Sequence, residues 1–548
     1  MGATSHSGHD DHVPWWRHGV VYQVYLRSFA DGNGDGVGDI AGLRSRLGYL
    51  SDLGVDAIWI TPWFVSPNHD GGYDVADYRD IDPRYGTLAD AEQLIDDAHG
   101  HGIKVIIDLV PNHTSTEHRW FAEAVAAPPG DPARDRYEIH PGRGPDGAEP
   151  PSDWRSVFGG PAWERLDDGE WYLHLFAPEQ ADLNWDNPEV QEEFLDVFRF
   201  WLDRGADGVR VDVAHGLVKD KSFPSLPDHV RIVELERDER HPYWDQDGIH
   251  EIVRGWRALM DTYDGDRMMV AEAWVLPERL GLYLRSDEYH QSFNFALVEA
   301  GWDAAVWRDL VDRSIAAVAS VGSTPTWTLS NHDVMRHTTR FGLPDPGEWR
   351  EWLVAGDPAD LDEEAGRRRG LAATMLVLAL PGSAYLYQGE ELGLPDVWDL
   401  PEDVLDDPVF FRSDGEERGR DGCRVPLPWT DEPPYFGFSD GGAWLPQPDR
   451  FGPLAVARQQ GDPGSALELH RRALELRRAH APADTALEWL DLDLGEDVLA
   501  FRRSSGLVCV TNFGRVPVPL PSGEVVLSTA PVEDGTVPGD ATAWLLER

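Results

Sequence analysis

The chain is short of lysine and of positive charge in general. Among its 548 residues only Lys104, Lys219 and Lys221 are lysines, and 98 Asp and Glu outnumber 48 Lys and Arg, for a formal net charge of -50. Nucleic acids and anionic membrane surfaces repel such a molecule, so both are excluded as partners. The charge favours a neutral small-molecule ligand, and we expect a monomer or a homodimer.

Cysteines and long apolar runs are scarce as well. Cys423 and Cys509 lie far apart without a CxxC spacing, which is typical of a reducing compartment and gives no cysteine metal site. The N-terminus has no basic region followed by an apolar stretch, so it does not resemble a secretory signal. The longest apolar run, residues 371–380, is too short to span a bilayer. We therefore expect a soluble, cytoplasmic protein.

Short runs of β-branched and aromatic residues alternate with helical patterns, which is typical of parallel βαβ units. Eight such runs favour a closed (β/α)8 barrel, the TIM barrel, over an open sheet. The predicted strands are Val20–Tyr25, Ala57–Pro62, Val105–Val110, Gly208–Val213, Met268–Trp274, Ser292–Leu297, Thr326–Asn331 and Ala384–Gln388. Polar residues come at several strand ends, where the mouth of such a barrel lies, namely Asp108, Asp212, Glu272, Asp333 and Gln388.

Two insertions and a tail interrupt this alternation. The stretch after the third strand exceeds a normal barrel connection, so we predict a small inserted domain over residues 112–186. The barrel then covers residues 1–111 and 187–484, with an acidic insertion near 395–429. Ser465 with Glu468 predicts a capping box at the last helix. Alternating strands joined at Ser505-Gly506 predict an antiparallel β-domain over residues 485–548.

Two carboxylates on neighbouring strands stand out. Arg210 and Asp212 lie two apart, hence on one face of their strand, and an adjacent arginine keeps a carboxylate ionised, as a nucleophile requires. Glu272 ends the next strand, and two such carboxylates suffice for glycoside hydrolysis. Adjacent strands lie about 4.8 Å apart, which favours the carboxyl separation of about 5 to 5.5 Å of retaining enzymes. The alternative is a structural ion pair.

Two further clusters lie at strand ends. His332 and Asp333 close the seventh strand and can grip vicinal sugar hydroxyls, although such a pair also serves as a structural hydrogen bond. Asp108, Asn112 and His113 follow the third strand. Of these, His113 can bond to a hydroxyl, whereas Asp108 and Asn112 are expected to brace Arg210 and the loop.

The four motifs around Asp108, Asp212, Glu272 and Asp333 resemble, in their order and spacing, the sequence regions of glycoside hydrolase family 13, the α-amylase family. The resemblance extends from Tyr22 to about Trp429. Gln180-Ala-Asp-Leu-Asn184 is similar to a fifth region of the α-glucosidase and oligo-1,6-glucosidase branch, with Ala181 where proline is usual. The resemblance is greatest to actinobacterial α-glucosidases. It implies Asp212 as nucleophile, Glu272 as acid/base and Asp333 as transition-state stabiliser. It also implies substrate contacts from Arg210, His113, His332, Phe158, Phe176 and Gln180.

The resemblance also implies a closed sugar pocket. It pairs Asp70 with Arg424 on the 4-hydroxyl of a terminal glucose, with Tyr73 stacked on the ring. A pocket closed there admits one sugar from a chain end, so we expect exo action on short substrates. Val213 is similar to the residue of α-1,6-preferring relatives, whereas its surroundings are similar to enzymes that take maltose, and the linkage preference stays open.

A loop near the N-terminus spaces oxygen donors at alternate positions, as a hard cation requires. It starts as an EF-hand does, but its twelfth position is Gly42 and it follows a strand, so it is not an EF-hand. The resemblance implies a structural Ca2+, with Mg2+ as the alternative ion and an ion-free turn as the alternative to both. The implied ligands are Asp31, Asn33, Asp35, the Val37 carbonyl and Asp39.

Three functions compete. The first is a retaining exo-acting α-glucosidase with some transfer to acceptors. The second is an enzyme of the same family with other specificity, an oligo-1,6-glucosidase or an isomerase of sucrose or trehalose. The third is a transporter-associated subunit without activity, which the presence of all three carboxylates disfavours.

Overall fold

The computed structural model describes residues 13–226, 241–481, 483 and 485–547. Eight parallel strands lie in the order β6-β5-β4-β3-β2-β1-β8-β7, and an additional bridge between Asn294 and Trp327 closes the barrel. Every residue of β1, β2, β4 and β5 is buried, as expected for strands covered on both faces. The predicted barrel is confirmed. Its strands are β1 Val20–Val24, β2 Ala57–Ile60, β3 Lys104–Leu109, β4 Gly208–Val211, β5 Met268–Ala271, β6 Gln291–Ser292, β7 Thr326–Thr328 and β8 Ser383–Tyr387.

The sixth strand is shorter than predicted. It contains only Gln291–Ser292, and the segment Phe295–Leu297, predicted as strand, is a 3-10 helix. The Asn294 side chain accepts a hydrogen bond from the backbone N–H of Ala296 and thereby caps this helix. Asparagine competes with strand pairing in this way through local side-chain bonds.

Helices cover the outside of the barrel. In α5, for example, Asn187 caps the first turn, Pro188 starts it, and an apolar stripe that includes Val190, Phe194 and Val197 is buried against the strands. The α-helices of the described ranges are α1 Ile40–Ser45, α2 Leu47–Leu53, α3 Leu88–Gly100, α4 Arg119–Ala126, α5 Pro188–Leu202, α6 Ile249–Met260, α7 Pro277–Tyr283, α8 Ala304–Ala319, α9 His337–Arg340, α10 Trp349–Ala355, α11 Glu363–Ala379, α12 Pro408–Arg412, α13 Val456–Gln459 and α14 Ala466–His480. None of these helices is both long and apolar enough to cross a membrane.

The inserted domain consists of short antiparallel strands between β3 and α5. Strands His113–Ser115 and Gln180–Asp182 pair with each other, and Glu170–Leu173 pairs with both Ile139–Pro141 and Trp163–Arg165. Its aromatic core also contains Val213, Tyr243 and Trp244, which follow β4 in the chain. The inserted domain therefore packs directly on the loop that follows the fourth strand. A further short pair, Phe64–Val65 with Asp77–Ile81, follows β2.

The C-terminal region is an antiparallel sheet in the order β9-β10-β11-β15-β13, as predicted. Thr542 and Trp544 of its strand β15 donate side-chain hydrogen bonds to carbonyls of α11, so the sheet is docked on the barrel. The strands are β9 Glu488–Trp489, β10 Val498–Arg502, β11 Leu507–Asn512, β12 Val518–Pro519, β13 Glu524–Ser528, β14 Thr536–Val537 and β15 Ala541–Leu546.

Candidate active site

Asp212 and Glu272 lie side by side where β4 and β5 end. The two strands pair in register, with Val211 opposite Ala271. The pairing continues because the backbone N–H of Asp212 donates to the Leu109 carbonyl at 2.9 Å and that of Glu272 to the Val211 carbonyl at 3.0 Å. Both residues are buried at the mouth, 6% and 8% exposed.

Arg210 joins these two carboxylates. Its Nη1 lies 2.5 Å from Asp212 Oδ1 and 2.8 Å from Asp108 Oδ1, and its Nη2 lies 2.7 Å from Glu272 Oε2. The guanidinium is also stacked near the rings of Trp59 and Tyr73. One buried cation thus contacts three carboxylates and holds the predicted nucleophile and acid/base next to each other.

The charge of Asp212 has several causes. Burial raises the pKa of Asp212 well above its ordinary value, Arg210 opposes this, and Glu272 and Asp108 act in the same direction as burial. The expectation that Arg210 alone keeps Asp212 ionised is therefore corrected, because the arginine is shared among three acids. A sugar that displaces water and brings positive charge to the anomeric carbon favours the ionised nucleophile at the moment of reaction.

Two donors hold the Glu272 carboxyl in place. The backbone N–H of Val213 donates to Oε2 at 3.1 Å, and the indole Nε1 of Trp274 donates to Oε1 at 3.0 Å. Trp274 is itself stacked on Phe295, with ring centroids 4.0 Å apart. We did not predict Trp274 as a site residue, although its position two residues after Glu272 places it on the same side of the strand end.

Asp333 is the third carboxylate of the site. Its Oδ1 accepts hydrogen bonds from Arg420 at 3.1 Å and from Arg424 at 3.0 Å. Burial alone raises the pKa of Asp333, but His332, Arg420 and Arg424 outweigh it and hold that pKa below its ordinary value. Asp333 is therefore ionised at neutral pH, as a stabiliser of positive charge must be.

His332 is a neutral ring beside Asp333. Its Nε2 lies 3.3 Å from Asp333 Oδ2 and its Nδ1 2.7 Å from the amide of Gln23. Burial lowers the pKa of His332 to about 3. The Tyr73 ring is stacked on it at 5.2 Å, while the Tyr73 hydroxyl donates to Asp108.

Asp70 lies next to the inserted domain. Its Oδ2 accepts a hydrogen bond from Gln180 at 3.0 Å, and Gln180 in turn lies 3.1 Å from His113 Nε2. Burial lowers the pKa of His113 to about 4, so this ring is also neutral at pH 7. The Phe176 ring is 5.2 Å from His113 and 5.5 Å from Phe158.

The predicted pairing of Asp70 with Arg424 is wrong in this structure. The ion pair of Asp70 is formed with Arg420, at 2.7 Å, and the Arg420 guanidinium also lies 4.9 Å from the Phe158 ring. Arg424 instead donates through Nε to the His332 carbonyl and through Nη2 to the same Asp333 oxygen that Arg420 contacts. Both arginines belong to the same short 3-10 segment, Asp421–Arg424 and the residue that caps it, so the sequence alone did not separate their roles.

The loop at residues 31–39 is folded by its own side chains. Oδ1 of Asp31 accepts the N–H groups of Asn33 and Gly34, Asn33 accepts that of Asp35, and Asp35 accepts that of Val37. Asp39 instead caps α1 through the N–H of Gly42. Within the described parts of the chain, no three His, Cys, Asp or Glu side chains converge on a metal-sized site. An ion here must therefore also use the Asn33 amide oxygen and the Val37 carbonyl.

Comparison with known proteins gives consistent relatives. The model of the alpha amylase catalytic domain matches residues 23–485. A probable alpha-glucosidase of Rhizobium meliloti is 36% identical over 93% of this chain and 92% of its own length, and an oligo-1,6-glucosidase of Parageobacillus thermoglucosidasius is 34% identical over 92% and 91%. Among solved structures, the alpha-glucosyl transfer enzyme XgtA is 35% identical, with a TM-score of 0.84, over 98% of this chain and all of its own. An isomaltulose synthase from Erwinia rhapontici NX5 is 28% identical, with a TM-score of 0.84, over 97% and 99%.

Proposed function

Because the chain belongs to the α-amylase family of glycoside hydrolases, we propose that it is a retaining, exo-acting α-glucosidase. It releases terminal non-reducing glucose from short α-glucosides such as maltose and transfers some of it to acceptors. The observation that carries this function is the pair Asp212 and Glu272, held side by side by one arginine at the end of β4 and β5. The predicted family is confirmed, with relatives named alpha-glucosidase and oligo-1,6-glucosidase, whereas the likeness to actinobacterial α-glucosidases stays a prediction.

The reaction takes two steps. Asp212 attacks the anomeric carbon while Glu272 gives its proton to the leaving oxygen, which forms a glucosyl ester on Asp212. Glu272 then takes a proton from water, and this water attacks the anomeric carbon on the face from which the leaving group departed. The bond to Asp212 breaks, and the α-configuration is retained. Asp333 stabilises the positive charge that develops on the sugar in both transition states. A sugar hydroxyl in place of that water gives transfer.

Product stereochemistry tests this mechanism. Proton NMR of p-nitrophenyl α-glucoside hydrolysis should show α-glucose as the first product, before mutarotation produces the β-anomer. β-Glucose as the first product would show inversion and overturn the assignment of Asp212 as nucleophile. Loss of all turnover in Asp212→Asn, with an unchanged circular dichroism spectrum, is expected alongside.

The closed end of the pocket predicts exo action. Asp70 and Arg420 form an ion pair beside Asp333, and we infer that they present charged groups to the 4-hydroxyl of one terminal glucose. The variant Asp70→Ala should lose most activity on maltose while its melting temperature stays within a few degrees of the wild type. Turnover like that of the wild type would refute this role.

A second candidate function, that of an oligo-1,6-glucosidase or a disaccharide isomerase, is favoured by Val213. Its side chain is packed in the aromatic core between the inserted domain and the barrel, and its backbone N–H donates to the Glu272 carboxylate. Relatives named oligo-1,6-glucosidase and isomaltulose synthase represent the two alternatives. Turnover on maltose, isomaltose, sucrose and trehalose separates them, because a disaccharide isomer as main product indicates an isomerase. The variant Val213→Ala should raise the ratio of maltose to isomaltose hydrolysis.

We further propose a structural Ca2+ in the loop at residues 31–39, with Mg2+ as the alternative ion. The support is the alternation of oxygen donors and the ordered loop, in which Ser439 also bonds to Asp31. Metal analysis of the dialysed protein should give about one Ca2+ per chain, and the variant Asp35→Ala should lose it. An unchanged melting temperature in EDTA together with no bound metal would leave an ion-free turn.

We propose a cytoplasmic location and a monomer or homodimer as the assembly. The two buried thiols of Cys423 and Cys509, both free, support a reducing compartment. Light scattering after gel filtration determines the mass of the assembly, and a tetramer would contradict the proposal.

A further inference from the structure

The acidic insertion after β8 carries a buried carboxylate whose role the mechanism above does not explain. Asp407 is 1% exposed and caps α12, because its Oδ1 accepts the N–H of Val409 at 2.9 Å. Its own N–H donates to Asp421 Oδ2. A carboxylate so deeply buried needs a cationic partner.

That partner is Arg420, which Asp407 grips along one edge. Arg420 Nε donates to Asp407 Oδ2 at 2.6 Å and Nη2 donates to Oδ1 at 3.1 Å, a two-point fork, and the Arg420 backbone N–H adds a bond of 2.7 Å to Oδ2. Such a fork fixes the plane of the guanidinium as well as its position. The rest of Arg420 is then aimed at Asp333 through Nη1 and at Asp70 through Nη2.

The backbone beside this fork allows the close approach. Gly419 has φ +72, and a Cβ atom there would lie 2.7 Å from the Cβ and the Cγ of Asp407. Any side chain at position 419 would therefore push Asp407 off Arg420, besides meeting backbone strain. Glycine is required here for the carboxylate to reach the arginine.

The other end of α12 contacts the inserted domain. Arg412 donates through Nε to the Gly159 carbonyl at 3.1 Å, and Gly159 follows Phe158, whose ring lies under Arg420. The five-residue helix thus has Asp407 on one side of the Arg420 guanidinium and, through Gly159, Phe158 on the other. It braces the arginine between the two insertions.

We propose that Asp407 is a positioning residue for the terminal-glucose pocket, acting through Arg420 to hold Asp70 and Asp333 in the geometry that recognises the 4-hydroxyl. This inference rests on the proposed α-glucosidase function and deepens it. Arg420 and Arg424 lie close enough to share Asp407, since Arg424 Nη1 is 3.8 Å from Oδ2. Without the charge of Asp407, the repulsion between Arg420 and Arg424 moves the Arg420 guanidinium. Its contacts with Asp70 and Asp333 then change.

The variant Asp407→Asn tests the charge with little change of shape. Asparagine caps helices as well as aspartate does, so α12 keeps its first turn, while the fork loses its charge and gains an N–H group that faces the guanidinium. We expect kcat/KM for p-nitrophenyl α-glucoside to fall about 10- to 100-fold. We also expect the preference for this substrate over its 4-deoxy analogue to collapse towards unity.

Asp399→Asn is the matched control, because Asp399 belongs to the same insertion and forms an exposed ion pair with Arg450. It should keep both the rate and the preference for the 4-hydroxyl. Asp407→Glu, which restores the charge on a longer side chain, should recover part of the preference. If Asp407 has a merely structural role, Asp407→Asn lowers kcat/KM equally for the glucoside and its 4-deoxy analogue, and the ratio of the two stays at the wild-type value.

The outcomes separate the two proposals. A wild-type protein that does not cleave α-glucosides refutes the proposed function, whatever the variants do. A wild type that discriminates against the 4-deoxy substrate and an Asp407→Asn that still does so refute the positioning role alone. Asp407→Ser keeps a cap as well and serves as the second variant. If both fold poorly, the carboxylate serves folding and the inference is overturned.

Discussion

At the scale of single residues, the site depends on which groups donate hydrogen bonds to each carboxylate. Glu272 must give up and regain a proton, yet the Val213 N–H and the Trp274 indole both donate to it. Val213 reaches this position with φ +46, a conformation that costs a β-branched residue free energy. The strained backbone thus serves to aim the acid/base.

Trp274→Phe tests the indole donor. The phenyl ring retains the stacking on Phe295, while Oε1 of Glu272 loses its donor, so the acid/base is held less firmly. Hydrolysis of maltose, whose leaving group needs a proton, should slow about 10-fold, a part of the 10²–10⁴-fold that general acid catalysis contributes. α-Glucosyl fluoride, which leaves without protonation, should react at the wild-type rate.

Trp352→Phe is the control, since the Trp352 indole N–H finds no hydrogen-bond partner among the residues that the structure describes. It should leave both substrates unaffected. Equal losses on maltose and on the fluoride in Trp274→Phe would point to a structural defect and contradict the role given to the indole.

Glu390 is the residue that should make stability depend on pH. Both of its carboxyl oxygens are buried, and the nearest His337 nitrogen is 3.9 Å from Oε1. Burial raises its pKa from 4.5 to about 8. The folded chain therefore binds a proton that the unfolded chain has released, and the free energy of unfolding falls as pH rises from 4.5 to about 8.

One such proton changes the free energy of unfolding by up to about 1.4 kcal/mol per pH unit. Glu390→Gln should remove this slope and raise the melting temperature at pH 8, with little change at pH 5. The exposed Glu402→Gln should keep the wild-type profile. A profile of Glu390→Gln as steep as that of the wild type would contradict the assignment.

At the scale of elements, the sequence predicted what strand periodicity and motif spacing encode. Asp212 and Glu272 directly follow β4 and β5, and Asp333 lies in the loop after β7, so all three lie near the strand ends where strand periodicity predicted them. The missed features depend on tertiary contacts. Arg420 and Arg424 are four residues apart, and only the packed insertion shows that Asp70 binds the first. The sixth strand was overestimated because the chain turns into a 3-10 helix directly after Asn294, which caps that helix.

The start of α14 shows the same limit. Ser465 does cap it, accepting the N–H of Glu468 at 3.2 Å, but the predicted reciprocal bond is absent from this described helix. The Ser465 N–H already donates to the Asp462 carbonyl, so Glu468 binds the N–H of Gly461 instead. The box predicted from the sequence is therefore half formed.

Ser465→Ala should lower the free energy of unfolding by about 1 kcal/mol, because one N–H at the helix start loses its acceptor. Urea denaturation at constant m-value measures this. Glu468→Ala should cost less, since Glu468 acts on the preceding loop and not on the cap. A larger loss in Glu468→Ala would restore the reciprocal box.

At the scale of the whole molecule, the charge dominates. Subtracting 48 basic from 98 acidic side chains leaves 50 uncompensated negative charges, which repel one another in the compact state. Surface ion pairs such as Arg368 with Glu364 offset little of this, because exposed pairs contribute about 0 to 1 kcal/mol each. Salt should therefore stabilise the fold.

The melting temperature should rise by several degrees between about 0.01 M and 0.5 M NaCl, because the screening length shrinks from about 30 Å to a few ångströms. KCl should act equally, and EDTA throughout separates this effect from Ca2+ binding. A melting temperature that falls with salt would mean that ion pairs outweigh the net repulsion.

The rate of maltose hydrolysis should not depend on salt in this way, because a neutral sugar is neither attracted nor repelled by the field of the protein. A phosphorylated disaccharide is repelled, so its kcat/KM should be low without salt and rise with it, and this contrast identifies a neutral glucoside as the substrate.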